Sequence, residues 1–244
     1  RPPATPIAIA AFRKWTAQRY GTVELMNETW GTRFPDFSYV EPASEERVWN
    51  HNRELDWRTF WEGFQTAQLK LLADEVRKSD PVHPLHLNPA GISGNLADQS
   101  DDLPAWRSFL DTLGCSIHPA WHFALFPRDR YALGVSYTND LVRGSIEPKP
   151  YWVTELQGGN NIYSGTAPME PTADDIAQWT WTSLGAGADR VIYWLLNARR
   201  EGVEAGEWSL LGFTQKPSER LLTASHIANV IDRESAFFSK AKPL

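Results

Sequence analysis

Glu155 is the residue of this chain best placed to do chemistry. It stands in Pro150-Tyr151-Trp152-Val153-Thr154-Glu155-Leu156-Gln157-Gly158-Gly159-Asn160-Asn161, an aromatic and β-branched run that favours an extended strand, closed by a glycine pair that ends it. A carboxylate at the end of a strand lies where α/β barrels expose their reactive groups. The chemistry that fits is displacement at an anomeric carbon. Cleaving a glycosidic bond with retention takes two carboxyls about 5–5.5 Å apart, one attacking and one protonating the leaving oxygen. Glu155 suits the attacker, and a carboxylate that caps its own loop or pairs with an arginine is the competing role. Beyond the glycines, Asn160, Asn161 and Tyr163 carry amide and phenol groups suited to sugar hydroxyls, or, for the asparagines, to their own loop backbone.

Further candidates lie on the same presumed rim. The charged loop at 197–208 contains Glu204 and Glu207, which could accept bonds from sugar hydroxyls or form an Arg–Glu network that braces the loop. Trp121 is a stacking wall for a sugar or a packed core tryptophan. Asn27-Glu28 looks like a proton-donor pair, but it falls in Val23-Glu24-Leu25-Met26-Asn27-Glu28-Thr29-Trp30-Gly31. That reads as a short helix ending in a loop, with no strand before it, so Glu28 is expected to be a solvated helix charge. His83 and His86, three apart on a presumed strand, face opposite sides and make no joint metal site. His118 and His122 flank Pro119 and Trp121 near the rim, where a hydrogen-bonded structural role is favoured over substrate contact. No serine sits in a nucleophile elbow, and no phosphate-cradling glycine pattern follows a strand.

These residues need a scaffold, and the periodicity supplies one. Thr5-Pro6 opens a helix over residues 5–19. Residues 21–53 form a long surface excursion, and apolar residues at threes and fours predict a long amphipathic helix over 54–78. Four short segments, 82–88, 114–118, 151–156 and 190–196, read as buried strands. They alternate with helices near 103–112, 128–142, 172–186 and 218–232, the last two supported by Thr172/Asp175 at capping-box spacing and by Pro217-Ser218 before Glu219. The βα alternation implies a parallel sheet with crossover helices, doubly wound or closed as a barrel. Its strand ends place Asn88, His118, Glu155 and Asn197 on one rim. Four strands are half a barrel, and with Arg1 rather than Met at the start the missing half is expected to precede residue 1.

Composition narrows the partners. The chain has 244 residues, 42% of them hydrophobic, which fits one domain of barrel size. A net charge of −6 without a basic run leaves nothing for a phosphate backbone or an anionic membrane surface to grip, so neither nucleic acid nor membrane is expected. No apolar run reaches a membrane span, and the chain reads as soluble with its compartment open. One cysteine, Cys115, excludes an internal disulfide and a multi-cysteine zinc site. Twelve tryptophans exceed the usual one or two per hundred residues. Most are expected in the core, with the surplus suited to a carbohydrate.

Several motifs together resemble glycoside hydrolase family 42, the β-galactosidases. Phe12-Arg13-Lys14-Trp15, Arg19-Tyr20-Gly21-Thr22 and Leu25-Met26-Asn27-Glu28-Thr29-Trp30-Gly31-Thr32 are similar to the stretch following that family's acid/base residue. Leu87-Asn88-Pro89-Ala90-Gly91 matches its fifth strand, Tyr151-Trp152-Val153-Thr154-Glu155 its seventh, and Glu204 with Gly206 the segment beyond its eighth. The resemblance implies a (β/α)8 barrel of which this chain covers roughly strands 5 to 8. It also implies a retaining β-glycosidase acting on terminal β-D-galactosides, Glu155 as nucleophile, and an acid/base Glu several residues before Arg1. Asn88, Trp121, Asn160, Tyr163, Glu204 and Glu207 are the candidate substrate contacts. Where the family carries a histidine after the Glu204 position, this chain has Glu207. Cysteines that bind zinc in some members have no counterpart set here, so no metal and no cofactor is expected. A homotrimer is implied by resemblance alone. A non-catalytic carbohydrate-binding protein on the same fold, or a retaining glycosidase for another sugar, are the alternatives.

Overall fold

Thr5 opens the first helix, α1 (Pro6–Tyr20): its hydroxyl accepts from Ala8 N–H at 3.2 Å, Pro6 occupies the first turn, and Gly21 at φ +72 ends it. Thr22 caps α2 (Val23–Trp30), which Gly31 closes in the left-handed conformation. Asn50 caps α3 (His51–Ser79) through Arg53 N–H. The computed structural model describes residues 3–43, 50–92, 100–123, 125–164 and 168–243. They divide into two units, one drawn from residues 1–81 and 95–105, the other from 82–94 and 106–244.

The first unit is held by aromatic packing. Phe12, Met26, Trp30, Trp57 and Phe60 are buried together, and each such side chain removed from water contributes roughly 1.5–3 kcal/mol. Inside this cluster Asp56 accepts from Trp30 Nε1 at 2.9 Å and from the Tyr20 hydroxyl, and pairs with Arg19 Nε at 3.2 Å. A buried carboxylate persists only when paired in this way. Asn27 donates to Phe34 O at 2.8 Å and accepts from Phe34 N–H at 2.9 Å, so it fastens the turn after α2, while Glu28 is exposed. The Asn27-Glu28 pair is thus a turn brace beside a solvated charge, as its helical setting predicts.

The second unit carries the sheet. Strands β1 (His86–Leu87), β2 (Thr112–Ile117), β3 (Tyr151–Gln157) and β4 (Arg190–Trp194) lie in the order β1-β2-β3-β4, every neighbouring pair parallel. Parallel neighbours require crossovers. These contain α4 (Tyr131–Ile146) between β2 and β3 and α5 (Ala173–Gly185) between β3 and β4, and α6 (Glu219–Arg233) follows β4. One face of the sheet packs on the helices. Leu113, Cys115, Ile117, Val153 and Leu156 are wholly buried there. The Tyr151 hydroxyl reaches Asn139 of α4 at 3.1 Å, and the Tyr193 hydroxyl meets Thr180 of α5 at 2.7 Å. On the other face His86 stacks on Trp152 with centroids 4.6 Å apart, and the Arg190 guanidinium lies 4.4 Å from the Trp152 ring.

An irregularity in β3 decides where Glu155 points. Cys115 pairs with Val153 but Ser116 pairs with Glu155, and against β4 the pairs run Val153 with Val191, then Leu156 with Tyr193. Between the two regular stretches β3 therefore holds one residue more than either neighbour, a β-bulge. Strict alternation would put Glu155 with Tyr151 and Val153, against the helices. The extra residue turns it to the face of Ser116 and sends Leu156 inward instead.

Boundaries differ from the sequence expectation at several points. Only His86–Leu87 of the 82–88 segment is strand. Pro84 has no N–H for a ladder, and Leu85 is pinned instead to Asp111, whose carboxylate accepts its N–H at 2.7 Å. The helix expected over 103–112 stops at Trp106: Phe109 and Leu110 both turn back onto Trp106 O, and Asp111 and Thr112 onto Leu85 O, which leads the chain into β2. The 128–142 helix begins as a 3-10 turn, Arg128–Arg130. The 21–53 excursion contains α2 and a 3-10 turn at Phe37–Tyr39, with residues 44–49 outside the described set. His83 lies outside β1. The Thr172/Asp175 capping box and the Ser218 cap are formed as predicted.

Candidate active site

Glu155 sits near the carboxyl end of β3, and its side chain, 30% exposed, is reachable from solvent. Among the described residues both of its hydrogen bonds fall on one oxygen: Ser116 Oγ donates to Oε2 at 3.0 Å, and His118 Nε2 lies 3.4 Å from the same atom. Asn88, just past β1, donates from Nδ2 to Ser116 Oγ at 3.1 Å. A relay Asn88–Ser116–Glu155 thus crosses the ends of β1, β2 and β3. The His118 hydrogen bond, with help from Ser116 and the nearby His118 and His122, holds the Glu155 carboxyl below the ordinary glutamate range, although burial alone would raise it. The group is therefore ionised at neutral pH.

His118 is buried at the end of β2, walled by aromatic rings. Trp208 meets it edge-on at 4.8 Å, with His122 at 5.7 Å and Trp121 at 6.1 Å. His122 Nδ1 accepts the His118 backbone N–H at 3.3 Å, which leaves the proton of the neutral ring on Nε2. Burial, then the neighbouring His118, pushes the His122 pKa down to about 4, so the ring is uncharged at neutral pH.

The glycine pair after Glu155 has a steric purpose. A Cβ on Gly159 would lie 2.3 Å from Ser209 O and 2.6 Å from Ser209 N, so only glycine admits the backbone that returns after β4. Gln157, wholly buried, ties this turn down. Its Oε1 accepts Ala120 N–H at 3.1 Å and its Nε2 donates to Gly159 O at 3.0 Å.

The other candidates have distinct places. Asn160 accepts Trp208 N–H on its backbone carbonyl at 2.6 Å. Asn161 uses its side chain within the loop, accepting from Met169 N–H at 3.0 Å. Tyr163, in the loop after β3, is 78% exposed, and Trp121, in the short helix Pro119–His122, is exposed, both as open aromatic surfaces. Glu204 pairs with Arg199 at 2.9 Å, and the Arg199 guanidinium lies 4.8 Å from the Trp194 ring. Glu207 is fully buried. Its carboxylate accepts the backbone N–H groups of Ile162 and Tyr163, that of Ser164 at 3.2 Å, and the Ser164 hydroxyl at 2.5 Å. Burial raises its pKa, but these four hydrogen bonds outweigh that and hold it low. Glu207 is taken up by the 162–164 loop and, wholly buried, presents no oxygen to solvent.

The structure thus joins Asn88 to Glu155 and sets Trp121 on the His118 wall, while Glu204 and Glu207 serve loop contacts. Sequence reasoning missed Ser116, Gln157 and Trp208. Ser116 had a weak signal, a polar residue in an apolar strand beside the His118 already suspected. The others had none. Among the described residues no group of three or more His, Cys, Asp or Glu could hold a metal ion, and no helix is long and apolar enough to cross a membrane.

A parallel sheet with crossover helices on one face and an ionised carboxylate at a strand's carboxyl end is the architecture of α/β proteins that act at strand ends. By sequence the chain belongs to the glycoside hydrolase family Glyco_hydro_42, described as Beta-galactosidase, whose model matches residues 4–232. It is 27% identical over 230 residues to Beta-galactosidase Bga of Halorubrum lacusprofundi, a match covering 88% of this chain and 32% of that relative. The chain thus spans about a third of that relative's length. The fold matches the crystal structure of a β-galactosidase from the psychrophilic Marinomonas ef1, with a TM-score of 0.83 at 23% identity over 96% of this chain and 37% of that one. It also matches an apo exo-carrageenase from Bacteroides ovatus, with a TM-score of 0.71 at 20% identity over 96% of this chain and 33% of that one.

Proposed function

We propose that this chain is the carboxyl-terminal half of a (β/α)8 retaining β-glycosidase that hydrolyses terminal β-D-galactosides, with Glu155 as nucleophile. The observation that carries the reading is the state of Glu155: ionised, reachable, and hydrogen-bonded through Oε2 alone among the described residues, so that Oε1 is the attacking atom. Oε1 bonds to the anomeric carbon as the glycosidic C–O bond breaks, and a carboxylic acid protonates the departing oxygen. That group, now a carboxylate, takes a proton from water, whose oxygen attacks the anomeric carbon and releases Glu155 with net retention. Glu28 is exposed on α2 with its neighbour Asn27 engaged in a turn, Glu204 is paired and Glu207 is buried, so none of these three is taken as the proton donor.

The open face of the sheet supports the same assignment. Parallel sheets are normally covered on both faces, yet Ile192 of β4 is 46% exposed, and β1 and β4 are edges among the described residues. Four further strands would close this sheet as strands 5 to 8 of a barrel. Trp121 and Tyr163 then wall the sugar, and Asn160 and Glu204 are assigned to its hydroxyls. Asn88 and Glu207 act behind these groups. A second reading is a retaining β-glycosidase acting on a different sugar, since a fold of this kind also occurs in an exo-carrageenase. A panel of nitrophenyl glycosides, tested on the protein with its barrel complete, separates these. The first reading expects β-galactoside turnover with retained anomeric configuration, lost in Glu155→Gln. Inversion, or unchanged turnover in that variant, contradicts it.

A further inference from the structure

Trp208 occupies backbone space that favours glycine. It lies at φ +64 and is 1% exposed, and its Nε1 is buried without a hydrogen-bond partner among the described residues. A bulky side chain in the left-handed region is strained by roughly 1–3 kcal/mol, and such strain persists only where surrounding contacts over-determine it. The neighbours do so here. Trp208 N–H donates to Asn160 O at 2.6 Å and its carbonyl accepts Leu195 N–H at 2.9 Å. On one side Glu207 grips the 162–164 backbone, and on the other Ser209 lies against Gly159.

The strained position puts the indole against His118, with centroids 4.8 Å apart and planes at 83°. His118 needs that contact. Its Nδ1 is buried and has no hydrogen-bond partner among the described residues, so no bond on that side fixes the ring. Its orientation rests on the rings around it and on Nε2 at Glu155.

We propose that Glu207 and Trp208 are positioning residues for the nucleophile: Glu207 locks the loop, Trp208 presses on His118, and His118 is thereby held on Oε2 of Glu155, leaving Oε1 to attack. This rests on the reading of Glu155 as nucleophile, but its consequence is measurable without turnover. The charged or titratable side chains acting on the Glu155 carboxyl are His118 and His122, and Ser116 is its other hydrogen-bond partner.

The test is a carboxyl 13C NMR titration of Glu155 in the full chain, using Trp208→Gly, Trp208→Phe, His118→Asn and the Trp208→Gly/His118→Asn double variant. Glycine suits φ +64, so Trp208→Gly removes the ring without backbone strain. Loss of the His118 bond is expected to raise the Glu155 midpoint by about one pH unit in Trp208→Gly and in His118→Asn. The double variant should shift no further than His118→Asn alone, because the two residues act in series. Trp208→Phe keeps a ring against His118 and should titrate close to wild type. Should Trp208→Gly not fold, Trp208→Phe and His118→Asn still decide: a Phe variant shifted as far as His118→Asn overturns the proposal. So does an unmoved midpoint in folded Trp208→Gly, or shifts that add in the double variant. A failure to hydrolyse glycosides leaves this titration untouched, so the two readings fail separately.

Discussion

Ser116 Oγ donates to Glu155 Oε2 at 3.0 Å, and the two meet because β3 carries one residue more than its neighbours between Val153 and Leu156. Deleting Thr154 should therefore remove the bulge and restore strict alternation, with Glu155, now directly after Val153, still on the face of Ser116 and Leu156 still toward the helices. The expected result is that Glu155 remains open to covalent labelling and that stability changes little, since Leu156 keeps its buried place and no charge enters the apolar layer. Chemical denaturation and labelling of the same sample check both.

Ser116→Ala removes the oxygen that links Asn88 to Glu155. The Glu155 midpoint should rise, and stability should fall by about 1–3 kcal/mol because the buried relay loses its centre. Asn88→Ala, one step further away, should produce a smaller shift in the same direction. Carboxyl NMR of the two variants ranks them.

Gly159→Ala should be among the most damaging small substitutions in the second unit. The added methyl meets backbone atoms of Ser209 within 2.3–2.6 Å, and backbone cannot step aside as a flexible side chain can. A loss of about 1–3 kcal/mol or more is expected from overpacking, measured as a lower denaturation midpoint. Gly144→Ala is the matched control, because nothing lies within 4 Å of its added Cβ.

Acid should weaken the fold through His122. Its folded pKa, about 4, lies below the ordinary histidine value of 6.5, so the unfolded chain binds a proton across that window and the folded chain does not. Stability is full above about pH 6.5 and falls as the pH drops toward 4, by an amount of the order of 3 kcal/mol. Glu155 and Glu207, with folded pKa values below their ordinary range, add losses of the same sign lower still, as the pH falls through those depressed values. His122→Asn should flatten the denaturation profile between pH 6.5 and 4.

The candidate nucleophile was legible because its flanks are local signals: β-branched and aromatic residues before it, glycines after it. The helices after β3 and β4 were legible for the same reason, each having its own cap and period. What could not be read depends on tertiary contact. The bulge appears only when β3 is laid beside β2 and β4, so alternation alone gives Glu155 the wrong face. Glu207 carries the charge expected of a substrate contact, but its role is set by the three backbone N–H groups it meets on another loop. Trp208 is indistinguishable in sequence from a core tryptophan until its φ and its contact with His118 are known. The motif Arg19-Tyr20…Trp30-Gly31, which helps mark the family, builds the buried Asp56 network and the close of α2, so it reports on fold and not on chemistry.

The most direct measurement is peptide mass mapping after incubation with 2,4-dinitrophenyl 2-deoxy-2-fluoro-β-galactoside. Dinitrophenolate departs without protonation, so the first step needs the nucleophile alone, and the fluorine slows release of the glycosyl-enzyme. The account predicts a single fluorogalactosyl adduct on the peptide containing Glu155, absent from Glu155→Gln. An adduct on another carboxylate, or none on Glu155 in folded protein with a complete barrel, would contradict it.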